Sequence, residues 1–535
     1  MSNPADYSNE FAASARASAF GRKCNAAYKK MARRLKLKHD PEAVLKWTRV
    51  VAGFAWTFHA GRYADGSLEN PLLEIGRRLE EAPQPDAHPA RHPAKRRVLH
   101  VATTLYDIGG HSRLITNWIH NDKSSEHSLL LTDQEGDIPQ WMMQAVAENG
   151  GELISLPAES TLLKRAHSLR VIAQSGFDLV VLHHHPNDVV PVVAFASEDC
   201  PPVVAMNHAD HVFWLGSTVA DLVLNVRGFG ECISATRRFA QRNLLLPLPL
   251  SIPFLSVTKA EARRRFNIPQ EQTVLLSIGT RYKFTRTETH DFFATVAKIL
   301  AQNPAAHLYI IGISREESHE HLERGKDERL HFLGKVEDPT LYRLAADIYL
   351  DSMPYGSLTA LLETAALGVC PVLMYAPPAP QYDISEDVGF SGLVTCAPSE
   401  AEYIATVNRL IQQPNLTREI GAEVRGGLLS HHQGEKWSEY LADVYETLQN
   451  ARHHPVAIPD TEFMETVNDL ALCDFNSARY SDISLIRRTV EAHFNALTLK
   501  DMISLFLISL SVRDLRFSYK ETRLWLLMFA SKLLR

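Results

Sequence analysis

Apolar positions change their period twice along the chain. From Ala43 to Phe58 and from Leu72 to Leu79 they recur at helical spacing, which predicts a helical N-terminal segment over residues 1–81. Four prolines within residues 82–93 then break any helix, so 82–96 reads as a linker. Beyond it, short apolar runs at Arg97–Ala102, Ser128–Leu131, Leu153–Leu156, Asp178–Leu182, Pro202–Met206 and Leu222–Val226 alternate with helix-like stretches such as Ser112–Ile119 and Leu163–Ser175. Strands alternating with helices predict a parallel sheet with right-handed crossovers, one Rossmann-like domain over 97–250. Leu246–Pro253 interrupts the pattern with three prolines, and the alternation restarts. Thr273–Ile278, Ala306–Ile311, Arg329–Phe332, Ile348–Leu350 and Cys370–Met374 read as strands, and Thr289–Ala301, Pro339–Ala345 and Leu361–Leu367 as helices. They predict a second Rossmann-like domain over 251–453, followed by a helical C-terminal extension over 454–535. The fold class is therefore α/β, with two facing Rossmann-like domains and added helical segments at both termini.

Composition narrows the classes without choosing among them. Of 535 residues 45% are hydrophobic and 22% charged, which fits a soluble globular protein. A net charge of -6 argues against nucleic acid as a partner. The cysteines Cys24, Cys200, Cys232, Cys370, Cys396 and Cys473 lie far apart, as expected of thiols in a reducing compartment. No apolar core marks the first twenty residues, and no stretch approaches the ~20 apolar residues of a membrane span. The expectation is a cytoplasmic protein. Two segments leave room for peripheral contact with the inner face of a membrane. One is the basic run Arg22, Lys23, Lys29, Lys30, Arg33, Arg34, Lys36 and Lys38; the other is Tyr519–Arg535, where Leu524–Phe529 sit beside Arg523 and Lys532. Each reads equally as a helix face in water or against the body of the protein.

In open α/β sheets, ligands sit beyond the carboxyl ends of the strands, so chemistry is sought in those loops. The first strand ends in Asp107-Ile108-Gly109-Gly110-His111, where Gly109 and Gly110 let a ligand approach the backbone. The first strand of the second half is followed by Arg281, Lys283 and Arg286, three cations within six residues that suit a diphosphate. Asp351 to Val372 contains Tyr355-Gly356-Ser357-Leu358-Thr359, a turn that opens a helix with two hydroxyls. Glu363 follows inside that helix, where its carboxylate could accept two ribose hydroxyls. Five imidazoles, His183, His184, His185, His208 and His211, end two neighbouring strands. They lack a Cys or acid at ligand spacing, so no metal site is read. Asp210 could pair with either flanking histidine.

Taken together, these features resemble the GT-B glycosyltransferases, and most closely the retaining family 4 type. The matching residues are Gly109 and Gly110; His208 in Met206-Asn207-His208-Ala209-Asp210; Arg281 and Arg286; and Glu363-Thr364-Ala365-Ala366-Leu367-Gly368-Val369-Cys370-Pro371-Val372. Gly389–Val394 is similar to the family's next strand and Ala401–Leu448 to its closing helices, so the resemblance covers about residues 97–450. Tyr355 stands where the family has the first acid of its E-x7-E motif, Arg286 replaces a lysine and Thr364 an alanine. Pro354–Thr359 also resembles the turn of protein O-GlcNAc transferases, which leaves donor sugar and stereochemistry open.

The resemblance implies a bacterial enzyme that moves a sugar from a nucleotide sugar, UDP- or GDP-linked, to a glycan, lipid-linked or protein acceptor. No cofactor is implied. The nucleotide-sugar residues would be Gly109, Gly110, Arg281, Lys283, Arg286, Tyr355, Gly356, Ser357, Thr359 and Glu363, with His208, Arg281 and Arg286 catalytic. The chain contains no Asp-x-Asp, so the cations are expected to stabilise the leaving diphosphate without a metal. An inactive GT-B-like scaffold and a GT-B sugar-nucleotide epimerase fit the same features.

Overall fold

Among the described residues every strand pairing is parallel, as the alternation of apolar runs and helices requires. The computed structural model describes residues 15–79, 95–107, 110–252, 256–317, 327–514 and 519–533. The chain divides into two units, one of Ala13–Leu245 with Asp443–Arg535, the other containing Leu246–Ala442.

The first unit holds a seven-stranded sheet of β1 (Arg96–Ala102), β2 (Ser125–Leu131), β3 (Leu153–Ser155), β4 (Leu179–Leu182), β5 (Val203–Asn207), β6 (Leu222–Asn225) and β7 (Asn243–Leu245), in the order β3-β2-β1-β4-β5-β6-β7. The second unit holds β8 (Thr273–Ile278), β9 (Ala306–Ile311), β10 (Leu330–Gly334), β11 (Ile348–Leu350) and β12 (Cys370–Val372), in the order β10-β9-β8-β11-β12. In each sheet the first strand is internal and the winding reverses beside it, between β1 and β4 and between β8 and β11. Those switch points are where an open α/β sheet binds its ligand. On the other side of β8, Gly312 has φ +100°, and a Cβ there would stand 2.5 Å from the Gly279 carbonyl oxygen. Glycine is what lets the ends of β8 and β9 approach so closely.

Both terminal segments share the core of the first sheet. Trp47, Phe54 and Phe58 of the helix Pro41–Phe58, Leu72 and Leu73 of Gly66–Arg77, and Ile486, Met502 and Leu505 of the C-terminal helices pack in one buried cluster with Leu99, Val101, Val180 and Leu182. The C-terminal helices begin where side chains cap them: Thr466 with Asp469 before Val467–Arg479, and Thr498 with Asp501 before Leu499–Ser511, each closing a capping box.

The basic run meets this C-terminal segment. Arg22 pairs with Glu465 at 3.0 Å, Lys23 with Asp514 at 2.6 Å and Lys29 with Glu462 at 2.5 Å. Lys38 pairs with Asp501, while Lys30 and Arg34 donate to Ser511 and Ser504. Six of the eight cations in the run thus make intramolecular contacts, and Arg33 and Lys36 are exposed.

Three segments differ from the sequence reading. Gly389–Val394, expected as a strand, is a series of turns, because Gly389 and Gly392 adopt φ +87° and +76°. Residues 454–466, expected within a helical extension, carry no helix. They run extended instead, with Val456 N donating to Thr218 O at 2.9 Å and Pro459 O accepting from Gly66 N at 3.0 Å. The strand β7 was not expected, since its three residues adjoin the prolines of Leu246–Pro253.

Candidate functional site

At the β8/β11 switch, the sequence Arg281–Phe284 forms a single 3-10 turn that buries Phe284 and brings Lys283 inward. Lys283 Nζ donates to the Gly356 carbonyl at 2.9 Å and lies 5.4 Å from the centre of the Tyr355 ring. Burial pushes this ammonium down to about 8, with Asp351 acting in the opposite sense. Ser357 donates to Asp351 Oδ1 from its backbone N at 2.9 Å and its hydroxyl at 2.6 Å, and Tyr349 OH lies 2.6 Å from the same hydroxyl. Burial raises the Asp351 carboxyl above its ordinary value, against these hydrogen bonds and Lys283. Gly356 has no room for a side chain, since a Cβ would stand 2.9 Å from Asp351 Oδ2.

Lys283, Tyr355, Gly356 and Ser357 therefore converge, and Thr359 starts the helix Thr359–Ala365 immediately after them. The other expected residues fare differently. Arg281 is exposed at the start of the 3-10 turn, and Arg286 is exposed and paired with Asp291 at 3.4 Å. Glu363 is engaged by Arg343 of the helix Thr340–Ala345. Asp351 and Tyr349, which organise the turn, were not singled out from sequence; the signal was an acid at the carboxyl end of a strand beside a cation loop.

At the β1/β4 switch, Gly110 opens the helix Gly110–Asn121, while Gly109 lies outside the described residues. His208 Nδ1 is 3.1 Å from the carbonyl two residues before it, Met206 O. A carbonyl can only accept, so the neutral ring carries its proton on Nδ1 and leaves a lone pair on Nε2. Burial, then the adjacent His111, holds this imidazole well below its usual range. The His111 ring lies 4.6 Å from that of His208, and His111 Nε2 donates to His183 O at 2.6 Å. A small pocket beside His208 is lined by His184, Pro186, Met206 and Trp214.

The loop after β5 is fixed by two arginines. Arg227 grips Asp210 at 2.6 and 3.0 Å, and His211 Nδ1 lies 3.2 Å from the same carboxylate. Buried Arg238 donates to the carbonyls of Ala209, Asp210 and Val212 and to Tyr63 O. Its guanidinium also lies 4.4 Å from the Trp214 ring. The N-terminal extension thus helps to position the loop that carries His208.

Residues 272–413 match the family model described as glycosyl transferases group 1. No curated protein matches the chain. Among solved structures, a glycosyltransferase of Rickettsia africae is 9% identical with a TM-score of 0.52, covering 66% of this chain and 99% of its own. Anabaena HepE in complex with UDP and glucose is 16% identical with a TM-score of 0.50, covering 66% of this chain and 100% of its own. A mutant of the O-GlcNAc transferase of Thermobaculum terrenum is 18% identical with a TM-score of 0.48, covering 80% of this chain and 82% of its own. The chain has the GT-B fold, and within its second unit residues 272–413 are similar to the glycosyl transferases group 1 family.

Proposed function

We propose that the protein is a glycosyltransferase that takes a sugar from a nucleoside diphosphate and hands it to an acceptor hydroxyl. The observation that carries this reading is Lys283, half-buried at the β8/β11 switch point against Gly356 and Tyr355. As the glycosidic bond breaks, negative charge develops on the leaving diphosphate. A cation fixed in a site of low dielectric stabilises that charge without reorganising. Lys283 is the inner cation, and the exposed Arg281 and Arg286 supply the outer ones. With three cations directed at the phosphates, the reaction is proposed to run without a divalent metal. Uridine diphosphate is the first nucleotide to test, because HepE is described with UDP and glucose.

On the acceptor side, His208 is assigned as the general base through Nε2, with His111 beside it. Release of UDP from UDP-glucose, and of nucleoside diphosphate from a panel of other nucleotide sugars, tests the reading. Turnover of at least one donor is expected, and turnover of none refutes it. Arg281→Ala is expected to weaken UDP binding by about fivefold, the scale of one exposed charge contact, with the fold intact. Isothermal calorimetry with UDP reads that change directly.

Tyr355 in the place of the family's acid, together with the Arg343 grip on Glu363, favours one rival: a protein that binds nucleotide but transfers nothing. Nucleotide binding without release of diphosphate from any donor would establish it.

Peripheral membrane contact is proposed through the C-terminal helices. Among the described residues, no helix is long and apolar enough to cross a membrane. In the helix Tyr519–Leu533, Trp525 is 2% exposed against Phe506, yet Leu526 and Leu527 are 63% and 55% exposed. Leu507 on the neighbouring helix is 52% exposed, with Ile503 and Leu510 on the same face and Arg513 and Arg523 exposed nearby in sequence. Exposed apolar side chains with exposed cations close by in sequence suit an anionic lipid surface. Leu526→Glu with Leu527→Glu is expected to abolish flotation with vesicles containing phosphatidylserine, and unchanged flotation would refute the contact.

A further inference from the structure

We propose that Trp56, with His185, His493 and Arg49 beside it, forms a carbohydrate subsite that seats an uncharged pyranose of the acceptor. The sugar's role as acceptor rests on the transferase reading; its binding to Trp56 does not.

One face of the helix Pro41–Phe58 assembles the site. From Val50 to Phe58 every residue is buried except Trp56 and Thr57, so the largest aromatic side chain of this stretch is the one that opens to water, at 37% exposure. Arg49, Gly53 and Trp56 stand at i, i+4 and i+7 and therefore share a face about 10 Å long. That face crosses the carboxyl ends of the first sheet. Arg49 donates to Asp133, two residues past β2, at 2.6 Å. The Trp56 ring packs edge-on to that of His185, three residues past β4, with centres 4.5 Å apart. Midway along the face, a Cβ on Gly53 would stand 2.5 Å from His493 Nε2 and 3.1 Å from Asn187 Nδ2. Glycine at this position lets His493 of the C-terminal extension and Asn187 of the β4 loop come against the helix. Both terminal additions thus reach the carboxyl end of β4.

The polar groups beside the indole define what it can hold. Asn187 Oδ1 lies 2.6 Å from His185 Nδ1. An amide oxygen accepts, so the imidazole carries its proton on Nδ1 and offers a lone pair at Nε2 to a hydroxyl. The Arg49 guanidinium has five N–H donors for other hydroxyls, of which Asp133 takes one. Charge around the strip is matched: the guanidiniums of Arg49 and Arg165 meet the carboxylates of Asp133 and Asp188. Burial holds the His185 imidazole below its usual range and, helped by Arg49, pushes His493 down to about 4, so both rings are neutral at pH 7.

A phosphate or a uronate would meet only cations that already have their counter-charge. An acyl chain would find one exposed aromatic residue among polar groups, without the exposed leucines that the C-terminal helices carry. An extended peptide would find no free strand to pair with, because β1 and β4 are internal to the sheet. A pyranose has an apolar face of C–H bonds and a rim of hydroxyls. Its face packs on the indole, and its rim exchanges hydrogen bonds with His185 and Arg49. β4 and β5 are neighbours, and adjacent strands lie about 4.8 Å apart, so a glycan resting on Trp56 and His185 can present its next ring to His208.

The test uses the full chain labelled with 5-fluorotryptophan. It contains seven tryptophans, and the 19F resonance missing from Trp56→Phe is that of Trp56. The probes are neutral trisaccharides of glucose, of mannose and of N-acetylglucosamine. At least one should shift the Trp56 resonance, and by calorimetry it should bind Trp56→Ala about tenfold more weakly, the scale of one aromatic contact. Trp56→Phe keeps a ring and should bind within about threefold of the wild type. A Trp56 resonance unmoved by all three sugars would overturn the subsite, as would equal affinity in a folded Trp56→Ala. So would a shift produced only by a uronic-acid trisaccharide or by a serine-rich peptide. Failure of the transferase reading looks different: a trisaccharide shifts Trp56 in a protein that turns over no donor, which supports the subsite and removes only the sugar's role as acceptor.

Discussion

Lys283→Ala is expected to weaken UDP binding by about 10- to 100-fold at pH 7, the scale of one lost charge-assisted contact worth about 1.5–3 kcal/mol. The effect should exceed that of Arg281→Ala, because Lys283 is half-buried while Arg281 is exposed, and the field of a charge is less screened away from water. The pH dependence carries the sign. Burial holds the Lys283 ammonium down to about 8, so it is charged below that pH and neutral above it. Affinity for UDP in the wild type should therefore be greatest near pH 7 and fall as pH rises through about 8, with the bound diphosphate displacing the midpoint upwards. In Lys283→Ala this fall should disappear. Calorimetric titrations between pH 6.5 and 9.5 separate the outcomes, since an unchanged affinity or an unchanged fall in the variant would remove Lys283 from the site.

His208→Ala is expected to reduce kcat for transfer by about 10²–10⁴, the usual contribution of a positioned base, while UDP affinity stays within about twofold. The base is already neutral, and its environment holds it well below the ordinary imidazole value. A base that becomes protonated only in more acidic solution keeps its lone pair there. The acid limb of the rate profile should accordingly lie below the ~6.5 of a free imidazole, and activity should persist at pH 6. A loss of rate centred near 6.5, or full activity in His208→Ala, would assign the role elsewhere.

Much of the architecture was legible because the two sheets are built from local apolar runs. β1, β8 and β9 fall within a residue of the runs that predict them, since a strand buried on both faces needs a continuous apolar stretch. The extended segment 454–466 was not, because nothing local forms it. Its hydrogen bonds go to Gly66 and Thr218, hundreds of residues away. The cations of the second site were visible as a cluster after β8, yet which of them turns inward depends on the 3-10 turn that buries Phe284. Glu363 was legible as a carboxylate in a helix, but not its pairing with Arg343, which the packing of neighbouring helices decides. Three buried imidazoles are the extreme case: His100 lies 2.9 Å from both His127 and His183 only through the register of three strands, and no spacing along the sequence announces it.

The central claim is that a nucleoside diphosphate binds at the carboxyl ends of β8 and β11. The most direct measurement is a crystal structure of the full chain with UDP, and a second with GDP. Diphosphate oxygens are expected within hydrogen-bond distance of Lys283 Nζ, beside the turn Tyr355–Thr359. A nucleotide bound elsewhere on the protein, or none bound at saturating concentration, would contradict it.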